Sequence, residues 1–174
     1  SIYQRRLRVG NKWLPVVAGA ATTTKYPDAH TESDTVDGWA RAPESSQSWS
    51  TIRDASGNAS NDDGTSLFVF LGYGIDGGSN QWNRNYRVIM VFDTSTIGAD
   101  NISAAVLSAV GVSGSITDQH SGSVSMCEGA SSSNTSIANG DYQSNKGKDL
   151  VATAAALSGL TANGSTYQDF TLSS

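Results

Sequence analysis

Two runs constrain this chain more than anything else in it. Ser66–Tyr73 (SLFVFLGY) and Tyr86–Phe92 (YRVIMVF) are apolar on both faces and rich in β-branched and aromatic residues. A strand with one wet face alternates; runs like these call for cover on both sides, so they read as strands buried inside a packed structure. Between them, Gly74–Asn85 (GIDGGSNQWNRN) reads as a long polar hairpin-type loop that carries Trp82.

Weaker strand signals surround this pair. Thr35–Arg41 (TVDGWAR) alternates, and Trp49–Arg53 (WSTIR) reads as a further strand. Ala104–Val112 (AAVLSAVGV) sets Val106, Val110 and Val112 on one face and Leu107 and Ala109 on the other. Ser121–Met126 is a fainter strand, and Thr166–Leu172 (TYQDFTL) alternates Tyr167, Asp169 and Thr171 against Gln168, Phe170 and Leu172. Ala55–Thr65 is a loop by composition. Asp149–Leu160 fits either a short helix capped by Asp149 and Gly159 or a strand followed by a turn. Short strands parted by Gly, Ser and Asn turns predict an all-β fold, an antiparallel β-sandwich of jelly-roll type.

Composition excludes the competing classes. The 174 residues hold 27 Ser, 15 Thr and 18 Gly but only 16 % charged residues, which excludes a coiled coil; three Pro exclude collagen. No run approaches the roughly 18 apolar residues of a membrane span. A single Cys127 excludes an intrachain disulfide framework and a four-Cys zinc site, and reads as a small core residue.

The net charge of −5 conceals an asymmetry. Residues 1–25 hold five basic groups, Arg5, Arg6, Arg8, Lys12 and Lys25, and no acidic one; the remaining 149 hold 6 basic and 16 acidic groups. A basic arm over 1–25 therefore precedes an acidic body over 26–174. Such an arm meets something negative, either a partner or its own body. Leu14–Ala21 (LPVVAGAA) after basic residues resembles a secretory signal, but the apolar run is short and Pro15 lies near its start. Ile2, Leu7 and Val9 interleave with polar residues, which reads as an extended arm with strand-like pieces. Ser1 is what removal of an initiator Met would leave, so an unprocessed cytoplasmic start is the expectation.

From Tyr26 to Leu172 the sequence resembles a group of bacterial and phage β-sandwich domains, the DNRLRE-type or disaggregatase-related jelly rolls, whose architecture is like that of carbohydrate-binding modules. The most specific piece is Tyr86–Ser108, YRVIMVFDTSTIGADNISAAVLS; weaker ones are Pro27–Ala40 (PDAHTESDTVDGWA), Trp49–Arg53, and Asn134–Leu172 with NTSIANGDYQ and the closing YQDFTL. Within the best piece, Asp93 and Ser95 can accept backbone N–H bonds and fix a turn. Arg87, inside an apolar strand, needs a carboxylate partner or must snorkel. Such domains usually continue for one or two more strands, whereas this sequence stops after FTL. The resemblance thus implies a sandwich lacking its closing strand, with a neighbour supplying it or a chain cut short. Strand donation by an arm is an established binding mode.

No motif for catalysis is present: no HExxH, P-loop, GxSxG or CxxC. His30 and His120 lie in polar stretches. Asp62-Asp63 with Asn61, Asp34 with Asp37, and Asp76 beside Gly77-Gly78 carry oxygens that could hold Ca²⁺, with Asp62 and Asp63 the best of them, although a solvated loop is the simpler account. No other cofactor is implied. Exposed aromatics can stack on sugar rings; Trp82, flanked by Asn83 and Arg84, leads, with Trp39, Trp49 and Tyr73 behind it, and the simpler account of Trp39 and Trp49 is as core anchors. The sequons at Asn58, Asn101, Asn134 and Asn163 matter only in a eukaryotic secretory setting. One arginine cluster ahead of an acidic body makes a poor nucleic-acid binder.

The resulting expectation is a non-enzymatic structural protein of a phage-like virion: a capsid decoration, head fibre or tail-associated subunit. Arg5, Arg6, Arg8, Lys12 and Trp13 would anchor it to other virion subunits, as a homo-oligomer and without a membrane. The alternative is a carbohydrate-binding module of a bacterial surface or secreted protein, gripping a cell-surface glycan through Trp82, Tyr73, Asn83 and Arg84.

Overall fold

The computed structural model describes residues 6–9, 12–15, 22–27, 31, 33–63, 73–75, 81–97, 102–111, 123–146, 152, 155–161 and 163–172. Its described elements are mostly strands in antiparallel sheets, with two short helices, so the fold is broadly all-β. The largest sheet has four strands. Their order is β4 (Ala59–Asn61), β3 (Asp37–Arg41), β6 (Trp82–Met90), β5 (Tyr73–Ile75). Two-stranded pairs join β1 (Arg6–Val9) to β2 (Lys12–Pro15), β7 (Ala105–Val110) to β10 (Tyr167–Leu172), and β8 (Ser123–Val124) to β9 (Ala155–Ala156).

The core forms on the inner face of the four-stranded sheet. In β3, Gly38 and Ala40 point inward while Asp37, Trp39 and Arg41 point outward, as the period of two requires. Val36, Ala40, Ala42 and Ile89 pack there against Ile52, Ile137 and Tyr142. Ile52 comes from α1 (Trp49–Asp54) and Tyr142 from α2 (Asp141–Ser144). Gly38 must be glycine, because a Cβ there would run into the Asn61 carbonyl oxygen and the Ile137 side chain.

Helix α1 corrects the strand expected over Trp49–Arg53. Ser48 takes the extended N-cap conformation and its Oγ accepts the Thr51 N–H at 3.2 Å, which starts a helix instead. The i, i+3 spacing of Trp49 and Ile52 then lets both lie against β6. The expected long loop also shortens. Gly74 and Ile75 belong to β5, and Trp82–Asn85 belong to β6, because Trp82 exchanges both backbone hydrogen bonds with Gln47 (2.7 and 3.0 Å). That pairing is long-range and leaves no trace in local composition. Most of the Ser66–Tyr73 run lies outside the described residues, as do His30, His120 and Asp76.

Other expectations hold. β7 and β10 pair in register from Tyr167 opposite Val110 to Leu172 opposite Ala105, with Phe170 buried and Tyr167 exposed. Asp93 Oδ1 accepts the Ser95 N–H at 2.8 Å and fixes the turn after β6, where a 3₁₀ turn follows over Ser95–Ile97. Of the ambiguous Asp149–Leu160 segment, the structure describes Ala152, bridged to Leu172, and the strand β9 followed by a 3₁₀ turn over Leu157–Gly159; Asp149 and Leu150 lie outside the described residues. Cys127 is exposed, which corrects the core reading: it lies beyond β8 in a stretch with no apolar period to bury it. Trp49 is likewise 41 % exposed instead of anchoring the core.

A polar lock joins the layers. The Arg87 guanidinium lies 4.0 Å from the Tyr142 ring centroid and donates to the backbone oxygens of Tyr142 and Arg53. Of the two alternatives open in the sequence, a carboxylate partner or a snorkelling side chain, the described contacts of the guanidinium are two carbonyls and an aromatic face instead of a carboxylate. Burial lowers the Arg87 pKa from its ordinary value. The Tyr142 hydroxyl donates to the Ile52 carbonyl at 2.7 Å and accepts from Asn85 Nδ2 at 2.6 Å. Asp141, 1 % exposed, accepts the N–H groups of Ser132 and Ala138, both at 2.8 Å, and so holds the loop before α2.

Candidate functional site

The residues that could recognise a ligand gather along the first half of β6 and the segment 41–49 that runs beside it. Trp49 and Trp82 form one aromatic pair, with ring centroids 4.9 Å apart and planes tilted by 52°. Trp82 is half-buried against the core, and Trp49 supplies the wetter ring. Four residues further along β6, a rise of about 13 Å at ~3.3 Å per residue, Tyr86 meets the edge of Trp39 at 5.1 Å and 71°. Tyr86 and Arg41 are directly opposed across β3 and β6 on the outer face, and the Arg41 guanidinium stands 5.9 Å from the Tyr86 centroid.

An ionic group sits between the two aromatic pairs. Glu44 pairs with Arg41 and lies 3.6 Å from Arg84 Nε. Arg84 is 58 % exposed in its side chain, whereas Arg41 is mostly covered. Arg41 Nε and Asn83 Oδ1 are buried without a hydrogen-bond partner among the described residues. This strip of contacts, Trp39–Tyr86, Arg41–Glu44–Arg84 and Trp49–Trp82, thus offers ring faces, hydrogen-bond donors and an acceptor. Chemically it can stack and hydrogen-bond a neutral or anionic polar ligand.

The glycan residues expected from sequence are divided by this arrangement. Trp82, Asn83 and Arg84 are consecutive in β6, and Trp82 and Arg84 belong to the strip; Tyr73 starts β5 opposite Asn85. Trp39 and Trp49, weighed behind Trp82 in the sequence, also join the strip; Glu44 and Arg41 were missed. The Glu44 contacts need the fold.

Two of the expected oxygen ligands are engaged by backbone N–H groups. Asp62 Oδ2 accepts the Ile137 N–H at 2.7 Å, and Asn61 Oδ1 accepts the Asp63 N–H at 3.0 Å. Among the described residues no group of three or more His, Cys, Asp or Glu could hold a metal ion. The acidic Asp54 instead sits between cations: Arg53 Nε at 2.7 Å and Lys146 Nζ at 3.1 Å hold its carboxyl well below the usual range.

Of the arm residues, Arg6 and Arg8 lie in β1, Lys12 and Trp13 in β2, and Arg5 outside the described residues. Arg6 pairs with Pro15, Leu7 with Leu14, Arg8 with Trp13 and Val9 with Lys12. Where the arm meets the body, Lys25 Nζ lies 3.9 Å from Asp93. Among the described residues no helix is long and apolar enough to cross a membrane.

No protein-family model matches the chain, and neither a curated protein nor a solved structure matches it.

Proposed function

We propose that this chain is a non-enzymatic structural subunit of a phage-like particle, a decoration, head-fibre or tail-associated protein. In this reading, residues 1–25 dock on a neighbouring subunit and a jelly-roll-type body projects outward. The observation that carries it is the self-paired arm: β1 and β2 pair with each other and, among the described residues, with no strand of the body. An arm with its own two-stranded order and five cations is suited to docking as a unit. Among the described residues the buried core cluster draws on positions 36 to 142. Deleting residues 1–25 should therefore leave the near-UV circular dichroism of the body intact and abolish incorporation into particles. Normal incorporation of the truncated protein refutes the reading.

A second reading is favoured by the aromatic and ionic strip: a carbohydrate-binding module. Stacking on Trp49 and hydrogen bonding to Arg84 and Glu44 is the chemistry a sugar requires. Trp49→Ala is a better probe than Trp82→Ala, because Trp82 also packs on the core. A glycan array with no binding by the full chain removes this reading; binding that Trp49→Ala and Arg84→Ala abolish supports it.

A further inference from the structure

The dipeptide Asn-Gly occurs twice, at Asn139-Gly140 and at Asn163-Gly164, each time after an alanine. In such a pair the glycine nitrogen can attack the asparagine side-chain amide, because glycine has no Cβ to obstruct the approach. By sequence the two sites are equal; the fold makes them different.

At Asn163 the reacting groups are held. The Gly164 N–H donates to the Gly111 carbonyl at 2.8 Å, and a nitrogen that keeps its proton in a hydrogen bond is a poor nucleophile. Asn163 Oδ1 accepts the N–H groups of Ser165 and Thr166 at 2.9 and 2.8 Å, and Nδ2 donates to Thr166 Oγ1 at 2.7 Å. The side chain is locked into an Asx-type turn, with Gly164 in the left-handed region at φ 72°.

At Asn139 the same groups are open. Both Asn139 and Gly140 are exposed, and the Gly140 N–H meets no acceptor among the described residues. A Cβ added to Gly140 would have nothing within 4 Å, so the surroundings are open too. Asn139 Nδ2, the leaving group, donates to none of the described residues, while Oδ1 accepts from Ser60 Oγ at 2.9 Å. A donor fixed on that oxygen draws electrons from Cγ and stabilises the oxyanion that forms during attack.

We infer that Asn139-Gly140 is a self-modification site, whose substrates are its own side-chain amide and water. The Gly140 nitrogen bonds to Asn139 Cγ, the Cγ–Nδ2 bond breaks, and Nδ2 leaves as ammonia with the proton that Gly140 gives up. Water then opens the cyclic imide at one carbonyl or the other, to aspartate or isoaspartate, with no change of oxidation state. Isoaspartate puts one more carbon into the main chain just ahead of α2, where there is no slack. The Asn139 carbonyl lies so close to Gly57 that a Cβ there would overlap it, and it accepts the Tyr142 N–H at 3.2 Å. The longer chain draws Tyr142 away from Arg87 and Ile52, so the site slowly and irreversibly loosens the fold.

The test incubates the full chain in mildly alkaline buffer, folded and in parallel in denaturant. Peptide mapping by mass spectrometry and labelling with an isoaspartyl methyltransferase follow each site. The folded chain converts at Asn139 several-fold faster than at Asn163, and the denatured chain converts at both alike. Gly140→Ala blocks conversion without moving the melting temperature, because φ −64° and the open space both suit alanine. Ser60→Ala slows conversion several-fold, and the isoaspartyl fraction melts below the unconverted chain. Equal rates at the two sites in the folded chain overturn the inference, as does a preference for Asn139 that persists in denaturant. So does a rate that Ser60→Ala leaves unchanged or raises, or an isoaspartyl fraction that melts with the wild type.

Discussion

Replacing Tyr142 by Phe removes one oxygen from the centre of the molecule and keeps the ring under Arg87. The hydroxyl has two partners, a donated bond to the Ile52 carbonyl and an accepted bond from Asn85 Nδ2. Both are stranded in the variant, and Ile52 and Tyr142 are fully buried, so water cannot substitute. An unsatisfied buried polar group costs roughly 1–3 kcal/mol, and Asn85 is only half-buried, so the expected loss is about 2–3 kcal/mol in total. For a domain of this size that lowers the melting temperature by about 4–12 °C. Urea unfolding followed by tryptophan fluorescence measures it, with an unchanged m-value showing that only stability moved. The pH dependence adds a second signature. Burial raises the Tyr142 pKa in the folded state, so its contribution is complete below the ordinary value of about 10 and is lost as pH climbs through the folded value. Wild type should therefore weaken more steeply above about pH 10 than the Phe variant. A loss below about 0.5 kcal/mol, within the scatter of surface substitutions, refutes the account of the lock.

Three further substitutions probe the supports of the same core. Asp141→Asn can still accept one of the Ser132 and Ala138 N–H groups but turns an NH₂ on the other, so stability should fall by about 1–3 kcal/mol in denaturant titration. Gly57→Ala puts a Cβ onto the Asn139 carbonyl and near the Tyr142 side chain, and the forced shift should lower stability by about 3 kcal/mol. Ser48→Ala removes the α1 cap, with an expected loss of about 1 kcal/mol by the same titration, which Ser48→Asp recovers.

The legible parts of the sequence are those whose physics is local. β10 and β7 show their faces through strict alternation, and the Asp93 turn follows from a carboxylate two residues before a free N–H. What local pattern missed depends on distant partners. Gln47 draws Trp82 out of its polar surroundings into β6. Ser48 converts a β-branched stretch into a helix because Ile52 has a core to reach. Arg87 looked like a charge in search of a carboxylate, yet its partners are carbonyls 34 and 55 residues away. The strip is legible at Trp82 and Arg84 but not at Glu44, whose value comes from lying across two strands.

The Tyr142 lock has a consequence for how the chain comes off the ribosome. Its hydroxyl binds a helix 90 residues earlier, and Arg87 reaches forward 55 residues to the same turn. Closing loops of that length is slow, and nothing local repays it in advance. During synthesis, then, β3 and β6 can pair while Val36, Ala40 and Ile52 still lack their lid. The nascent chain keeps an open apolar face until α2 has emerged, so a stall or truncation just before residue 137 should yield a species prone to aggregate.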